Sequence, residues 1–225
     1  MTGPAPADLR RIDVWVFDLD NTLYPAGTEF ITLMEGKMTD FVARETGLPR
    51  DEARALQKRY LHEHGTTLAG LMAYHGVSPE PFLTEVHDVS MDSLKPDPEL
   101  KAGIARLPGR RLVFTNGDAR HAERVLAHLD LAELFEDVFH IASGDYIPKP
   151  RPETFARMVS RHHVDPAAAA FFEDSERNLG PAAEIGMTTV LVGPHAEDST
   201  APFVHYRAPR LARFLLQAHI KETPR

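Results

Sequence analysis

Asp18 and Asp20 stand two residues apart, directly after the apolar run Val14-Trp15-Val16-Phe17. Further along, Leu112-Val113-Phe114 stops at Thr115-Asn116, the loop after Val138-Phe139-His140-Ile141 carries Lys149, and Ala168 to Phe172 stops at Glu173-Asp174. If those runs are neighbouring parallel strands, three or four carboxylates, one hydroxyl and one ammonium meet on one rim. That rim is where doubly wound sheets bind their ligands. Crowded carboxylates repel one another unless a cation sits among them. Oxygen donors, with no Cys and no required His, select a hard ion, magnesium first. Such an ion and Lys149 together would attract a dianionic group. Thr115 and the backbone amides after the first two strands would hydrogen-bond its oxygens, which suits phosphate better than carboxylate.

The sequence has neither a Gly-x-x-x-x-Gly-Lys loop nor a Gly-rich dinucleotide turn, so a triphosphate engine is unsupported. A carboxylate nucleophile is the good remaining candidate. Asp18, at the strand end, would be held in place; Asp20 lies where the backbone has begun to turn. One carboxylate would attack phosphorus while the other gives a proton to the leaving oxygen, a division that needs Asp18 ionised and Asp20 able to hold a proton. Accelerations of phosphate monoester hydrolysis reach ~10²¹, which asks for ~29 kcal/mol, so metal, lysine, amide dipoles, covalent attack and acid catalysis must add.

Elements must position these groups. Thr189-Val190-Leu191-Val192 reads as a fifth strand. Helical patterns separate the last four strands: Ala119 to Leu129, Pro152 to His162 with Pro in its first turn, and Ser175 to Ile185 with Ser in the capping position. Arg210 to His219 reads as a closing helix and Lys221 to Arg225 as a frayed tail. Strand–helix alternation predicts a parallel sheet covered on both faces. Tyr24 to Pro98 breaks the alternation with four helical stretches, Phe30 to Glu45, Arg50 to His64, Thr67 to Tyr74 and Pro79 to His87. The expected organisation is an α/β core from residues 1–23 and 98–225, with a small helical cap at 24–97. Pro-rich Lys95-Pro96-Asp97-Pro98 would mark the return to the sheet.

Asp18-Leu19-Asp20-Asn21-Thr22, Thr115-Asn116, Lys149-Pro150 and Glu173-Asp174 resemble, in order, the four motifs of the haloacid dehalogenase-like superfamily of phosphohydrolases. The resemblance covers roughly Ile12 to Val192. It implies a doubly wound, Rossmann-like core, Asp18 as a nucleophile forming an aspartyl-phosphate, and Asp20 as general acid and then general base. It implies that Thr115, Asn116 and Lys149 hold the phosphoryl group. It also implies that magnesium is bound by Asp174, the Asp18 carboxylate and the Asp20 main-chain carbonyl. Glu173 stands where much of the family has Asp, and is assigned an outer-shell or supplementary position. The wider strings Leu23-Tyr24-Pro25, Gly65-Thr66-Thr67-Leu68, Lys95-Pro96-Asp97-Pro98 and His121-Ala122-Glu123-Arg124 look like the pyrimidine 5′-nucleotidase branch. That branch implies an inserted helical cap and a nucleoside monophosphate such as UMP or CMP. Tyr24, His64, Thr66 and Thr67 are candidates for lining the cap's substrate slot, with Tyr60 and Met72 beside them.

The composition agrees with this and narrows it. In 225 residues, 43% are hydrophobic and 26% charged, the net charge is −8, and there is no cysteine. A disulfide scaffold, a Cys-based zinc site and a thiol nucleophile are excluded. An acidic chain without a Lys/Arg block has no footprint for nucleic acid or anionic membrane. Met1 to Ala7 has no apolar core of signal length, so a cytoplasmic enzyme acting on a small phosphorylated metabolite is expected, as monomer or dimer. His62 and His64 lie about 200° apart on a helix and diverge, which argues against zinc. Taken alone, Lys149 reads as a solvated loop lysine and Thr115-Asn116-Gly117 as a turn; both depend on the ensemble. A haloacid dehalogenase, a phosphotransferase acting on another metabolite such as a sugar phosphate, and a receiver phosphorylated on aspartate remain as alternatives.

Overall fold

The computed structural model describes residues 6–222. Six strands form one wholly parallel sheet: β1 (Val14–Phe17), β2 (Arg110–Phe114), β3 (Asp137–Phe139), β4 (Ala169–Glu173), β5 (Thr188–Val192) and β6 (Tyr206–Ala208). Their spatial order is β3-β2-β1-β4-β5-β6. The chain therefore builds outward from β1 on one side, then crosses to β4 on the other. The crevice at the carboxyl ends of β1 and β4 is the switch point where such sheets take ligands.

β1, β4 and β5 are buried along their whole length, as a sheet covered on both faces requires. Side chains alternate between two cores. Trp15, Phe17, Val113, Phe172 and Val190 face one layer of helices, α5 (Pro98–Ala105), α6 (Ala119–His128) and α9 (Leu211–Gln217). Val14, Val16, Phe114 and Phe171 face the other, α7 (Pro152–His162) and α8 (Glu176–Glu184). Phe17 and Phe172 stack with centroids 4.5 Å apart, fixing β1 against β4 just below the site. Burying one such side chain contributes about 1.5–3 kcal/mol.

Between β1 and α5 run four consecutive helices, α1 (Glu29–Thr46), α2 (Arg50–His64), α3 (Thr67–His75) and α4 (Pro79–His87). They share an apolar centre of Phe41, Val42, Leu56, Leu71, Phe82 and Val86, while Phe30 and Met34 at the start of α1 pack into the first core layer instead. α2 and α3 approach so closely at Gly70 that an added Cβ would stand 2.2 Å from Tyr60 Cγ. Since the ring root cannot swing away, the helices would have to part. Gly70→Ala is expected to destabilise the protein by about 1–3 kcal/mol despite the better helix propensity of Ala. Urea unfolding checks this, and an unchanged midpoint contradicts the packing.

Three local expectations change. Asp97-Pro98 begins α5 rather than a bare loop: Asp97 Oδ1 accepts the amides of Glu99 at 2.9 Å and Leu100 at 3.1 Å, and Pro98 occupies the first turn. The third strand stops at Phe139, because His140 opens a short 3₁₀ turn. Ser175 precedes α8 but makes no side-chain cap; its own amide is taken by Glu173 Oε1 at 3.1 Å. β6, a three-residue edge strand, had no expected counterpart. No helix among the described residues is long and apolar enough to cross a membrane. Residues 1–5 and 223–225, with most of the stretch Met1 to Ala7 and part of the expected frayed tail, lie outside the described residues.

Candidate active site

Asp18 is the first residue beyond β1, and its amide donates to Phe172 O at 2.9 Å, so sheet pairing holds it against β4. Thr22 Oγ1 donates to Asp18 Oδ2 at 3.1 Å, and Lys149 Nζ donates to Oδ1 at 2.7 Å. The other two ammonium protons go to Glu173 Oε2 at 2.8 Å and Phe114 O at 2.7 Å. Lys149 is only 1% exposed, with its ammonium over the rings of Phe114 and Phe171. The lysine read alone as solvated is thus the buried cation joining β1, β2 and β4. Asn116 braces it from β2: Asn116 Oδ1 accepts the Lys149 amide at 2.9 Å, and Nδ2 donates to the Lys149 carbonyl at 3.3 Å. The Asn116 side chain, expected at the phosphoryl group, is committed to this splint. Thr115 is buried beside it, its Oγ1 accepting the Gly117 amide at 2.9 Å.

Oxygens of Asp18, Glu173 and Asp174 lie within 4.8 Å of one another. Three carboxylates are therefore crowded beside one ammonium, which pairs with Asp18 and Glu173. Burial and the neighbouring Glu173 push the Asp18 carboxyl above the usual carboxylate range, and the same causes raise Asp174. Burial opposes the charge of Lys149, but Asp18 and Glu173 outweigh it and hold the ammonium protonated. An all-oxygen, over-anionic pocket fits a hard divalent cation. Glu173 has one oxygen on Lys149 and the other on the Ser175 amide, which leaves Asp18 and Asp174 the freer donors.

Asp20 is partly exposed and bound differently. Its Oδ1 accepts both the Tyr24 hydroxyl and His121 Nε2, the latter at 2.7 Å. Burial would raise this carboxyl, but His121 and Tyr24 stabilise the anion and bring it down to about 2. Both contacts therefore favour the ionised form of Asp20. Burial works against a charge on His121, yet Asp20 raises it; burial lowers His87, against the pull of Asp118.

A cavity of about 410 Å³ opens above these groups. Asp18, Asp20, Thr115, Lys149, Glu173 and Asp174 form its floor. Its roof is apolar, including Ile31, Met34, Met38, Leu61, Phe82 and Leu83, with Glu35, Gln57 and Arg177 as polar members. Arg177, from α8, also donates to Leu61 O at 2.8 Å and His62 O at 3.2 Å, tying the end of α2 to the sheet side. Gly65 lies so close to Lys149 O that an added Cβ would sit 2.7 Å away, and its φ of 90° independently favours glycine.

Of the cap candidates, Thr66 and Thr67 line the cavity, though Thr66 Oγ1 accepts the Ala69 amide and Thr67 Oγ1 donates to Gln57 O. Tyr24 and His64 are not among its lining residues, nor are Tyr60 and Met72. Tyr24 is buried behind Asp20, and His64 packs beside the rings of Tyr60 and Tyr74. Asn178 does line the cavity, next to the acidic loop. His121 had no expected role. Besides opening the string His121-Ala122-Glu123-Arg124, it stood out as a titratable residue on the apolar face it shares with Ala122 and Val125.

A profile described as haloacid dehalogenase-like hydrolase matches residues 12–186. The chain is 30% identical over 204 residues to phosphate metabolism protein 8 of Saccharomyces cerevisiae, covering 84% of this chain and 63% of that protein. It is 32% identical over 109 residues to the fructose-1-phosphate phosphatase YqaB of Escherichia coli, covering 47% of this chain and 56% of that protein. The chain thus spans less than two thirds of either relative. A 2-haloacid dehalogenase from Pseudomonas syringae has the same fold, with TM-score 0.58 and 22% identity over 91% of this chain and 98% of that one.

Proposed function

The chain belongs to the haloacid dehalogenase-like hydrolase family, and from that premise we propose that it is a magnesium-dependent phosphomonoesterase working through an aspartyl-phosphate on Asp18. The observation that carries this reading is the buried Lys149 bound at once to Asp18 and Glu173, beside a third carboxylate and the Thr115 hydroxyl. A site with one ammonium among three carboxylates gains from a dication, and the pair of cations suits a dianion.

In this reading the Thr115 hydroxyl donates a hydrogen bond to a phosphoryl oxygen, and Lys149 neutralises charge next to it. The main-chain amides after β1 and β2 complete the cradle. An Asp18 oxygen forms a bond to phosphorus as the bond to the leaving oxygen breaks, and Asp20 protonates that oxygen. Asp20 takes up its proton after the dianion enters, since a second negative charge raises its proton affinity. Asp20 then removes a proton from water, which attacks phosphorus and frees Asp18 with inorganic phosphate. Magnesium, held by Asp18, Asp174 and the Asp20 carbonyl, would supply further charge stabilisation to the phosphoryl oxygens. Residues 24–97 act as a cap that excludes bulk water during attack.

For the substrate we adopt a nucleoside 5′-monophosphate of the pyrimidine class. The strings around Tyr24, Gly65, Lys95 and His121 support it, and so does the roof. Met34, Met38 and Phe82 offer adaptable apolar contact to a planar ring, with Gln57 and Glu35 near for polar edges. The dehalogenase likeness extends to sequence, 26% identity over 191 residues to an (S)-2-haloacid dehalogenase of Xanthobacter autotrophicus, but Asp20 with the acidic trio favours phosphoryl chemistry.

The test is phosphate release from UMP, CMP, dUMP, AMP, GMP, sugar phosphates and phosphoglycolate, each with magnesium and with EDTA. Magnesium-dependent release that favours UMP and CMP is expected. Preference for another member overturns the pyrimidine assignment, and halide release from a haloacid without metal overturns the reaction.

A further inference from the structure

Asp20 is held by donors from two places, Tyr24 just before α1 and His121 on α6. Its Oδ1 carries two donors, Tyr24 OH and His121 Nε2. Its Oδ2 carries neither donor and lies near Gly117, where an added Cβ would be 3.0 Å from His121 Cδ2, 3.3 Å from Thr115 Oγ1 and 3.7 Å from Oδ2. Oδ2 is thus the oxygen left free beside Thr115. His121 is 1% exposed, and its ring cannot turn freely. On one face the imidazole of His87 stacks on it, centroids 4.0 Å apart. The ring of Phe30 also lies parallel to it, 5.9 Å away with an interplanar angle of 3°.

Phe30 belongs to the first core layer, whereas His87 comes from the end of the inserted helices. Phe30 opens α1 and His87 closes α4. His87 is itself held by Asp118, with Nδ1 to Oδ2 at 2.9 Å, and its carbonyl accepts Arg124 at 3.0 Å. Arg124 and Asp118 flank His121 on α6 and its cap. A second cavity, of about 470 Å³, lies on the far side and is lined by the same His87, Asp118, His121 and Arg124. Nothing in the proposed chemistry uses these residues, yet they form one chain of contacts from the end of α4 to the acid.

We propose that His121 is a positioning residue for Asp20: by occupying Oδ1 it presents Oδ2 to the leaving oxygen; the Phe30 ring, part of the sheet-side core, and the His87 ring hold it there, the latter only while α4 is seated. Closure would then complete the acid as well as exclude water. This rests on the phosphomonoesterase reading above and adds to it how the acid is aimed.

Leaving-group dependence tests it. A misaimed acid harms an ester with a poor leaving group, such as an alkyl phosphate, much more than p-nitrophenyl phosphate, whose leaving oxygen needs no proton. The ratio of the two kcat values within one variant cancels any fraction that fails to fold. His121→Ala is expected to lose about 10²-fold on the alkyl ester and less than about tenfold on the nitrophenyl ester, within the range general acids contribute. His121→Gln, whose amide can still donate to Oδ1, should recover most of the ratio, and His87→Ala should shift it in the same direction by less. Equal losses on both esters in His121→Ala, or a Gln variant no better than Ala, overturns the positioning role. A wild-type ratio in His87→Ala overturns the link to α4. Asp20→Asn separates the two levels: if it shows no leaving-group dependence, the acid assignment itself fails, whereas a dependence in Asp20→Asn that is absent from His121→Ala sinks only this inference.

Discussion

Asp18→Asn is expected to keep the fold and to lose turnover by about 10⁴-fold or more, the scale seen when a covalent nucleophile is removed. Asn is close to isosteric. Its amide oxygen can still accept from Lys149, and the Asp18 backbone bond to Phe172 O is untouched. What disappears is the charge and nucleophilicity of one of three clustered carboxylates, whose one ammonium pairs with Asp18 and Glu173. Without magnesium the variant should therefore unfold at the same urea concentration as the parent or a higher one, because buried like charges are relieved. Phosphate release and urea unfolding on one preparation check both halves. Turnover near the parent rate contradicts the nucleophile, and a large stability loss contradicts the charge balance.

Lys149→Met should do the opposite to stability. Methionine fits the slot between Phe114 and Phe171, so the change is mainly one of charge. It leaves Asp18 and Glu173, 6% and 1% exposed, without their common partner. Breaking a buried ion pair from one side costs about 3–5 kcal/mol. In EDTA the variant is expected to lose stability on that scale, and to regain more on adding magnesium than the parent does, since the dication then meets an uncompensated acidic pocket. Activity should fall by at least about 10²-fold even with saturating magnesium, as for loss of a preorganised electrostatic group. A midpoint in EDTA equal to the parent's would contradict the account of what holds the three strand ends together.

Both experiments bear on residues that were legible in the sequence to different degrees. Asp18, Thr115 and Glu173 were visible because each ends an apolar run, and a buried strand can change character abruptly only at its end. The parallel sheet followed from the same runs. Lys149 was visible only through its neighbours in order: its burial depends on Asp18, 131 residues away, and Glu173, 24 away, and no local pattern encodes that. Helix α5 was missed because two prolines dominate its entrance, although Asp97 before Pro98 is itself a helix start. β6 is too short to carry a period. The cap residues were the least legible. Tyr24 and His64 are polar aromatics near the right segment, but the chain turns Tyr24 behind Asp20 and His64 against Tyr60 and Tyr74. The cavity is roofed instead by apolar residues such as Met34, Met38 and Leu83, whose sequence signal is that of ordinary core.

The most direct test of the central claim is to trap the covalent intermediate. Enzyme in excess over a phosphomonoester, with magnesium, is quenched in acid at successive times, reduced with borohydride and mapped by mass spectrometry. The account predicts homoserine at residue 18, rising and falling within one turnover, and absent from Asp18→Asn and from EDTA-treated protein. Phosphate release that runs to completion with Asp18 unmodified at every quench time would contradict it.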